Sequence, residues 1–502
     1  MLTHKFIFLF FITIELSSQA ITPFTINTYT NGDQNNHSFS ILNNDNIFSI
    51  WQSYGQNGSQ NGNDIYACIY NQNGIKIKNE FQISDSISYN NITPKCTKLS
   101  NGNILVCWTR GEYGISSITG KIIAKIFSSN GSLIKDEFII NDSSNGLSKY
   151  ILEANNAIPL GLTNGNYAIA HSYWGDNDSV RVVIFNSTHQ IIKSFKFYSP
   201  SSSVDKKIRL AELSNNIIIV YEKYDQNDIG IFYRIINATN LTISNEMQAN
   251  IEYFDYQEKP DIIVLSNGTF VISWRKNYSD SSFTYCRIFN SIGIPITNEL
   301  KSKYEIGSFI TAKLVQNKNN NFYMIYGNRD TWKEKLIYAK EFNFYGEITY
   351  EDFNIFSFNK VFYDYEIKPY NDNFLYLAFE SSDNSSFGLF GVFLSSYPTS
   401  IKSFVDYPIH YNLYQNYPNP FNPSTTIKFD LPFESIVKLQ IFNTLGQIID
   451  TPIDEQSYAG RYQLKWNASD ISSGIYFYRF VATSVEDNSK QYTKTIKMIL
   501  MK

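Results

Sequence analysis

Apolar residues run through most of the chain in short strand-length stretches, each broken by Asn, Gly or Ser within about ten positions. The stretches repeat. A first element reads Leu99-Ser-Asn-Gly-Asn-Ile-Leu-Val-Cys-Trp108, Leu162-Thr-Asn-Gly-Asn-Tyr-Ala-Ile-Ala-His171, Leu213-Ser-Asn-Asn-Ile-Ile-Ile-Val-Tyr221 and Leu265-Ser-Asn-Gly-Thr-Phe-Val-Ile-Ser-Trp274, with looser copies starting at Leu42, Val315 and Tyr370. A second strand-like run follows each copy, at 65–74, 123–131, 180–186, 230–237, 285–290, 337–342 and 387–394. A third piece closes most units, as in Glu80-Phe-Gln-Ile-Ser84 and Glu137-Phe-Ile-Ile-Asn141. Asn and Gly occupy the turns because they tolerate the positive φ of tight hairpins.

Each unit therefore reads as a four-stranded antiparallel meander: an apolar segment, a Ser-Asn-Gly turn, a strand ending in an aromatic, a polar loop, and two further strands. Units recur about every 50 to 60 residues, close to the periods of propeller repeats. Seven copies predict an all-β, seven-bladed β-propeller over residues 21–394. The last copy lacks a fourth strand, and Phe24-Thr-Ile-Asn27 looks like one. This segment is expected to pair near 387–393 and close the ring, so that no edge stays exposed. The repeat resembles the tandem Leu-x-x-Gly-Gly-hydrophobic-Trp units of large bacterial surface proteins.

From Leu413 the pattern changes. Leu-Tyr-Gln-Asn-Tyr-Pro-Asn-Pro-Phe opens the segment, bringing in Pro418, Asn419, Pro420 and Phe421. An Asn443-Thr-Leu-Gly-Gln turn with Gly446 follows, then Ala459-Gly460-Arg-Tyr, then Ser473-Gly474-Ile-Tyr476, and a terminal strand with Lys494 and Lys497. Alternation predicts strands at 425–429, 437–442, 462–466 and 475–480, hence a small Ig-like β-sandwich over 413–502. In order and spacing these motifs resemble the C-terminal sorting domain of type IX (Por) secretion cargo, type A, found in Bacteroidetes and related phyla. The resemblance implies recognition by the type IX secretion machinery in the outer membrane, delivery to the cell surface or medium by way of the periplasm, and removal of the tail at a cut in the linker 395–412.

At the other end, Lys5, the apolar run 6–14 and Ser18-Gln19-Ala20 have the anatomy of a signal peptide, 1–20. The apolar run is too short to span a bilayer and Glu15 interrupts it, so no transmembrane segment is expected in the mature chain.

Composition adds limits. Aromatics make up 16% of the 502 residues, which suits pleated packing and excludes disorder. A net charge of −4, without a basic run, argues against nucleic acid as partner. Export permits disulfides. A two-residue turn at Asn101-Gly102 would set Cys96 opposite Cys107, allowing either a cross-strand bridge or two buried thiols.

Catalytic patterns are absent from the sequence. His37, His171, His189 and His410 have no zinc-ligating spacing, and no Gly-x-Ser-x-Gly elbow occurs. His171 replaces a strand-ending aromatic, which points to structure. The loops after those aromatics are the recognition candidates. Asp64, Asp176, Asp178, Asp225 and Asp228 supply oxygens that would suit Ca²⁺, the one cofactor the sequence suggests. The expected activity is a surface binding module for a glycan, polymer or protein. The alternative is a polysaccharide hydrolase or lyase with its site in the propeller channel.

Overall fold

The structure, a computed structural model, describes residues 23–502 except 59–61, 86–88, 113–119, 141–156, 174–178, 199–206, 225–227, 253, 279–280, 303–311, 318–319, 328–334, 359–361, 372, 384–385, 396–410, 433–434, 458–459 and 486–490. The expected signal peptide and nearly all of the expected linker lie outside the described residues. The chain divides into two compact units, one spanning Pro23–Phe404 and the other containing Val405–Lys502. All described regular structure is β-strand.

Among the described residues the first unit holds seven antiparallel sheets, six of four strands and one of five. Sheet one runs from Gln34–Ile41 through Ile47–Tyr54 and Asn63–Tyr70 to Lys76–Gln82. Sheets two to seven begin with Tyr89–Lys98, Ile158–Gly161, Ile208–Leu213, Tyr256–Val264, Lys313–Gln316 and Phe362–Asn371. The first strand of each sheet lies beside that of the next, and that of sheet seven beside that of sheet one.

The continuous apolar runs have a direct cause: sheets are covered on both faces, so successive side chains in a strand enter different cores. In Ile104–Glu112, Ile104, Val106 and Trp108 pack with Phe48, Ile50 and Ile65 of sheet one. The intervening Leu105 and Cys107 pack with Tyr167, Ile169 and Phe185 of sheet three. The strand-ending aromatics anchor these layers. Trp51 Nε1 donates to Gln34 Oε1 at 3.0 Å and Trp108 Nε1 to Asn91 Oδ1 at 2.9 Å, in each case across the first hairpin of the sheet.

That hairpin corrects one expectation. The Gly102 amide donates to Leu99 O at 2.9 Å and the Leu99 amide to Asn103 O at 2.8 Å, so the loop has three residues with Gly102 at φ 84°. Cys96 therefore pairs with Val106, and Lys95 with Cys107. A slip of one residue flips a side chain to the other face. Cys96 accordingly joins the core toward sheet one and Cys107 the core toward sheet three. All four thiols are free and buried.

The N-terminal segment pairs where it was expected to. Phe24–Thr25 extends sheet seven, pairing Phe24 with Gly391 and Thr25 with Phe390. The Leu389 amide donates to Asn27 Oδ1 at 2.7 Å, and the Phe24 ring meets Tyr70 of sheet one edge-on at 5.3 Å.

The second unit is a two-sheet sandwich. Asn412–Leu413, Ser424–Leu431 and Gly460–Asn467 form one sheet, and Ile448–Ser457, Ser435–Asn443, Gly474–Ser484 and Gln491–Leu500 the other. Phe429, Trp466, Leu439 and Phe480 are among the side chains that fill the core between them.

Candidate functional site

The first strands of four of the seven sheets share a local distortion. Bulges shift the register between Asn35 and Ser38, Ile92 and Lys95, Glu258 and Asp261, and Phe362 and Tyr365. Asn36, Thr93 and Lys259 take φ near the left-handed region, at 52°, 53° and 55°. Such bulges re-aim side chains and free a backbone amide.

The preceding sheet satisfies that amide in three places. Gln52 Oε1 accepts from the Thr93 amide at 3.2 Å, Glu222 Oε1 from Lys259 at 2.6 Å, and Glu380 Oε1 from His37 at 3.3 Å. Gln52, Glu222 and Glu380 each directly follow a strand-ending aromatic, namely Trp51, Tyr221 and Phe379.

Beside the bulges runs a band of half-buried charge drawn from several sheets. Arg209 Nε lies 3.6 Å from Asp261 Oδ1, whose other oxygen accepts from the Leu314 amide at 2.9 Å. Lys368 Nζ pairs with Glu366 at 2.7 Å and donates to Phe39 O at 2.6 Å. Lys95 Nζ donates to His37 O at 3.4 Å. Lys313 stands within electrostatic reach of Arg209, Asp261, Asp364 and Glu366. Burial and then Arg209 push its pKa down, while the carboxylates oppose the fall.

Two carboxyls differ sharply. Burial pushes Glu366 up, but Lys368, Lys95 and His37 outweigh it and hold the group at about 2. Burial drives Glu222 the other way, to about 7, against the Lys259 and Lys207 amides that bond it. A carboxyl at about 2 stays ionised near neutrality and cannot serve as a general acid. Glu222 could hold a proton, but it is only 2% exposed and both its oxygens are engaged. Neither carboxyl is therefore suited to donate a proton as a general acid near neutrality.

The aspartates picked out in the sequence fare differently. Asp64 is buried in the third strand of sheet one instead of lying on a loop; Oδ1 accepts from Ser84 Oγ at 3.0 Å and Asn91 Nδ2 at 3.3 Å. Asp228 Oδ1 accepts from the Ile229 amide at 2.9 Å. Asp176, Asp178 and Asp225 lie outside the described residues. Among the described residues no three His, Cys, Asp or Glu side chains gather as a metal site. His171 is buried, and burial followed by Arg181 pushes its pKa down to about 3, so the imidazole is neutral. The inner-strand charges escaped the sequence reading because they are scattered singly through segments read as apolar. Pro94 and Pro260, inside strand patterns, were the available sign of the bulges.

In the sandwich, the Pro-Asn-Pro-Phe opening is sewn to the last strand. Asn419 Oδ1 accepts from the Ile499 amide at 2.8 Å, Phe421 N donates to Ile499 O at 3.0 Å, and Met501 N donates to Phe421 O at 3.0 Å. The Phe421 ring is buried, 5.8 Å from Trp466. Gly446 turns the hairpin at φ 76°, and Gly460 and Gly474 open strands. Tyr476 Oη donates to Ser472 O at 2.8 Å, and Lys494 Nζ to Leu413 O at 3.0 Å. Lys497 is exposed.

Residues 415–499 match the family model of the secretion system C-terminal sorting domain. The tail is a type IX sorting domain. It directs the protein to the cell surface or the extracellular space and engages the type IX secretion machinery. No curated protein matches the chain. Among solved structures, it is similar to a protein of unknown function from Dyadobacter fermentans at 9% identity, covering 74% of this chain and 97% of that one with a TM-score of 0.46. It is similar to polysaccharide lyase Uly1 at 8% identity, covering 76% and 94% with a TM-score of 0.46. It is also similar to the β-propeller domain of the Trilobed protease from Pyrococcus furiosus at 10% identity, covering 72% and 95% with a TM-score of 0.41. Likenesses this weak transfer neither activity nor site residues. Among the described residues, no helix is long and apolar enough to cross a membrane.

Proposed function

We propose that the sorting domain, 413–502, exports a seven-bladed β-propeller, 21–394, that works outside the cell as a binding module for a glycan, polymer or protein. A signal peptide at 1–20 starts the export, and a cut within 395–412 separates the two parts. The ring reading is supported by the latch from Glu380 to the His37 amide, which joins sheet seven to sheet one as Gln52 joins one to two and Glu222 joins four to five. The observation that carries the binding reading is the band of charge beside the bulges. Its best placed carboxylates, Asp261 and Glu366, are ion-paired, whereas a glycosidase needs one carboxyl poised to donate a proton.

Incubating the secreted protein with a polysaccharide panel, and following both retention and products, tests this. Retention without shortening is expected. New reducing ends or unsaturated products would establish the hydrolase or lyase reading instead.

A further inference from the structure

We infer that the sorting domain docks on the type IX secretion machinery through the outer face of its four-stranded sheet, where the partner inserts an apolar side chain flanked by acidic groups. The inference is independent of what the body binds. Leu439, Ile441, Tyr478, Phe480 and Met498 of this sheet point into the sandwich core. Alternation turns Ile436, Phe442, Ile475, Phe477, Val481 and Ile499 the other way. The three-stranded sheet shows the contrast. With Ile427, Phe429, Leu464 and Trp466 in the core, its two long strands carry Ser424, Thr426, Lys428, Gln463, Lys465 and Asn467 outward, all polar, as suits a solvated face. The four-stranded sheet breaks that pattern, and contiguous apolar surface of this kind marks an interaction site.

The apolar part of the face is continuous. Pairing aligns Ile448, Phe442, Phe477 and Lys497 in one row across all four strands, with Ile475 and Ile499 opposed in the next row. Ile448 is 56% exposed and Ile475 45%. A cleft of about 370 Å³ opens here, lined by Phe442, Asn443, Gly446, Phe477, Arg479 and Thr495. Three of the stretches that mark the domain supply it: the turn from Asn443 to Gln447, the strand opened by Gly474, and the terminal strand with Lys494 and Lys497. Motifs well apart in sequence thus meet at one place.

Charge and shape narrow the occupant. The Arg479 guanidinium lies 4.6 Å from the Phe442 ring centroid. Lys438 is neutralised by Asp454 at 2.7 Å, whereas Arg479 and Lys497 form no ion pair among the described residues. A second copy docked face to face would set these cations against their own kind. Phe442 and Phe477 are half-buried along the cleft rather than projecting, so a protruding side chain of a protein reaches them and a lipid surface does not. The machinery that the domain engages is therefore the occupant, presenting an apolar side chain beside Asp or Glu.

Delivery of the full chain in a host with type IX secretion tests this, with cell fractionation separating surface and medium from periplasm. Arg479→Glu is expected to lower the delivered fraction about tenfold or more, since it sets like charges against each other, and Phe477→Ala to lower it as well. Lys465→Glu, on the polar face, is expected to match the parent. Thermal melts of the three variants separate lost docking from lost fold. In a second arm, photoreactive benzoylphenylalanine replaces Phe477 or Gln463 in the full chain. An adduct with an outer-membrane component of the export machinery is expected from position 477 and not from 463. Where a variant melts earlier than the parent, this adduct decides alone. Delivery of Arg479→Glu and Phe477→Ala at the parent's level would overturn the assignment. So would equal adducts from both positions, no adduct from 477, or one formed only with the body of the chain, a second copy or lipid. Loss of delivery on deleting residues 413–502 would still hold in those cases, so the face can fail while the sorting domain stands.

Discussion

Glu222 sits between sheets four and five with its carboxyl near 7, well above the usual carboxylate value of 4.5. The folded chain thus keeps a proton that the unfolded chain releases between about pH 4.5 and 7. Stability from this group is present at low pH and is lost as the pH rises through that window, by roughly 3 kcal/mol. Thermal melts from pH 4.5 to 8 should show the fall, and Glu222→Gln should flatten it; an unchanged slope in the variant would assign the titration to another group. Asn91 offers a second test. Its Oδ1 accepts from Trp108 Nε1 at 2.9 Å and from Arg110 Nε at 3.1 Å, so Asn91→Leu withdraws an acceptor from both and should cost about 1 to 3 kcal/mol in chemical denaturation. Neither residue stood out in the sequence. The aromatic at each strand end was legible because it repeats, whereas the residue after it varies from Gln to Thr, Ser, Glu and Arg according to what the neighbouring sheet presents.

At the scale of elements, turns and strands were readable because local chemistry decides them: Ser-Asn-Gly places a hairpin, and apolar runs between turns make strands. Register was not. Whether the loop at Asn101-Gly102 has two residues or three depends on how Leu99 closes onto Asn103, and that single residue decides which core each cysteine enters. The N-terminal strand was legible for a different reason, since a missing fourth strand in the last repeat matched a spare one at the start. Its hold on sheet seven is through Phe24, ringed by Tyr70, Tyr376 and Phe393. Phe24→Ala should destabilise the unit by about 2 kcal/mol in a urea titration, less than for a fully buried Phe because the ring is half-exposed. Gly391→Ala should be worse, as a Cβ there would stand 2.2 Å from Tyr376 Oη and 2.8 Å from Phe24 Cζ. A Gly391→Ala variant as stable as the parent would mean that Phe24 does not depend on this close approach.

For the molecule as a whole, destination and activity were legible to different degrees. The sorting domain is written in consecutive motifs, because its opening loop and last strand must meet in one small sandwich. The charge band is assembled from residues far apart in sequence, and nothing local marks them as neighbours. Deleting residues 413–502 should abolish delivery to the surface while leaving the body folded, checked by cell fractionation and by melting the truncated protein. Surface delivery of the truncated chain would mean that another segment carries the export information.

The pairing of Phe24 with Gly391 also bears on when the body can become native. Asn27 and Leu389, which share a hydrogen bond, are 362 residues apart. A chain made from its amino end cannot form that contact until the seventh sheet exists, so the earliest residues wait longest for their partner. Contacts of such separation are slow to form. The Phe24–Thr25 strand is therefore the clasp that fastens last, and a chain interrupted before residue 386 would leave it without its partner, an unfastened edge open to pairing with other chains.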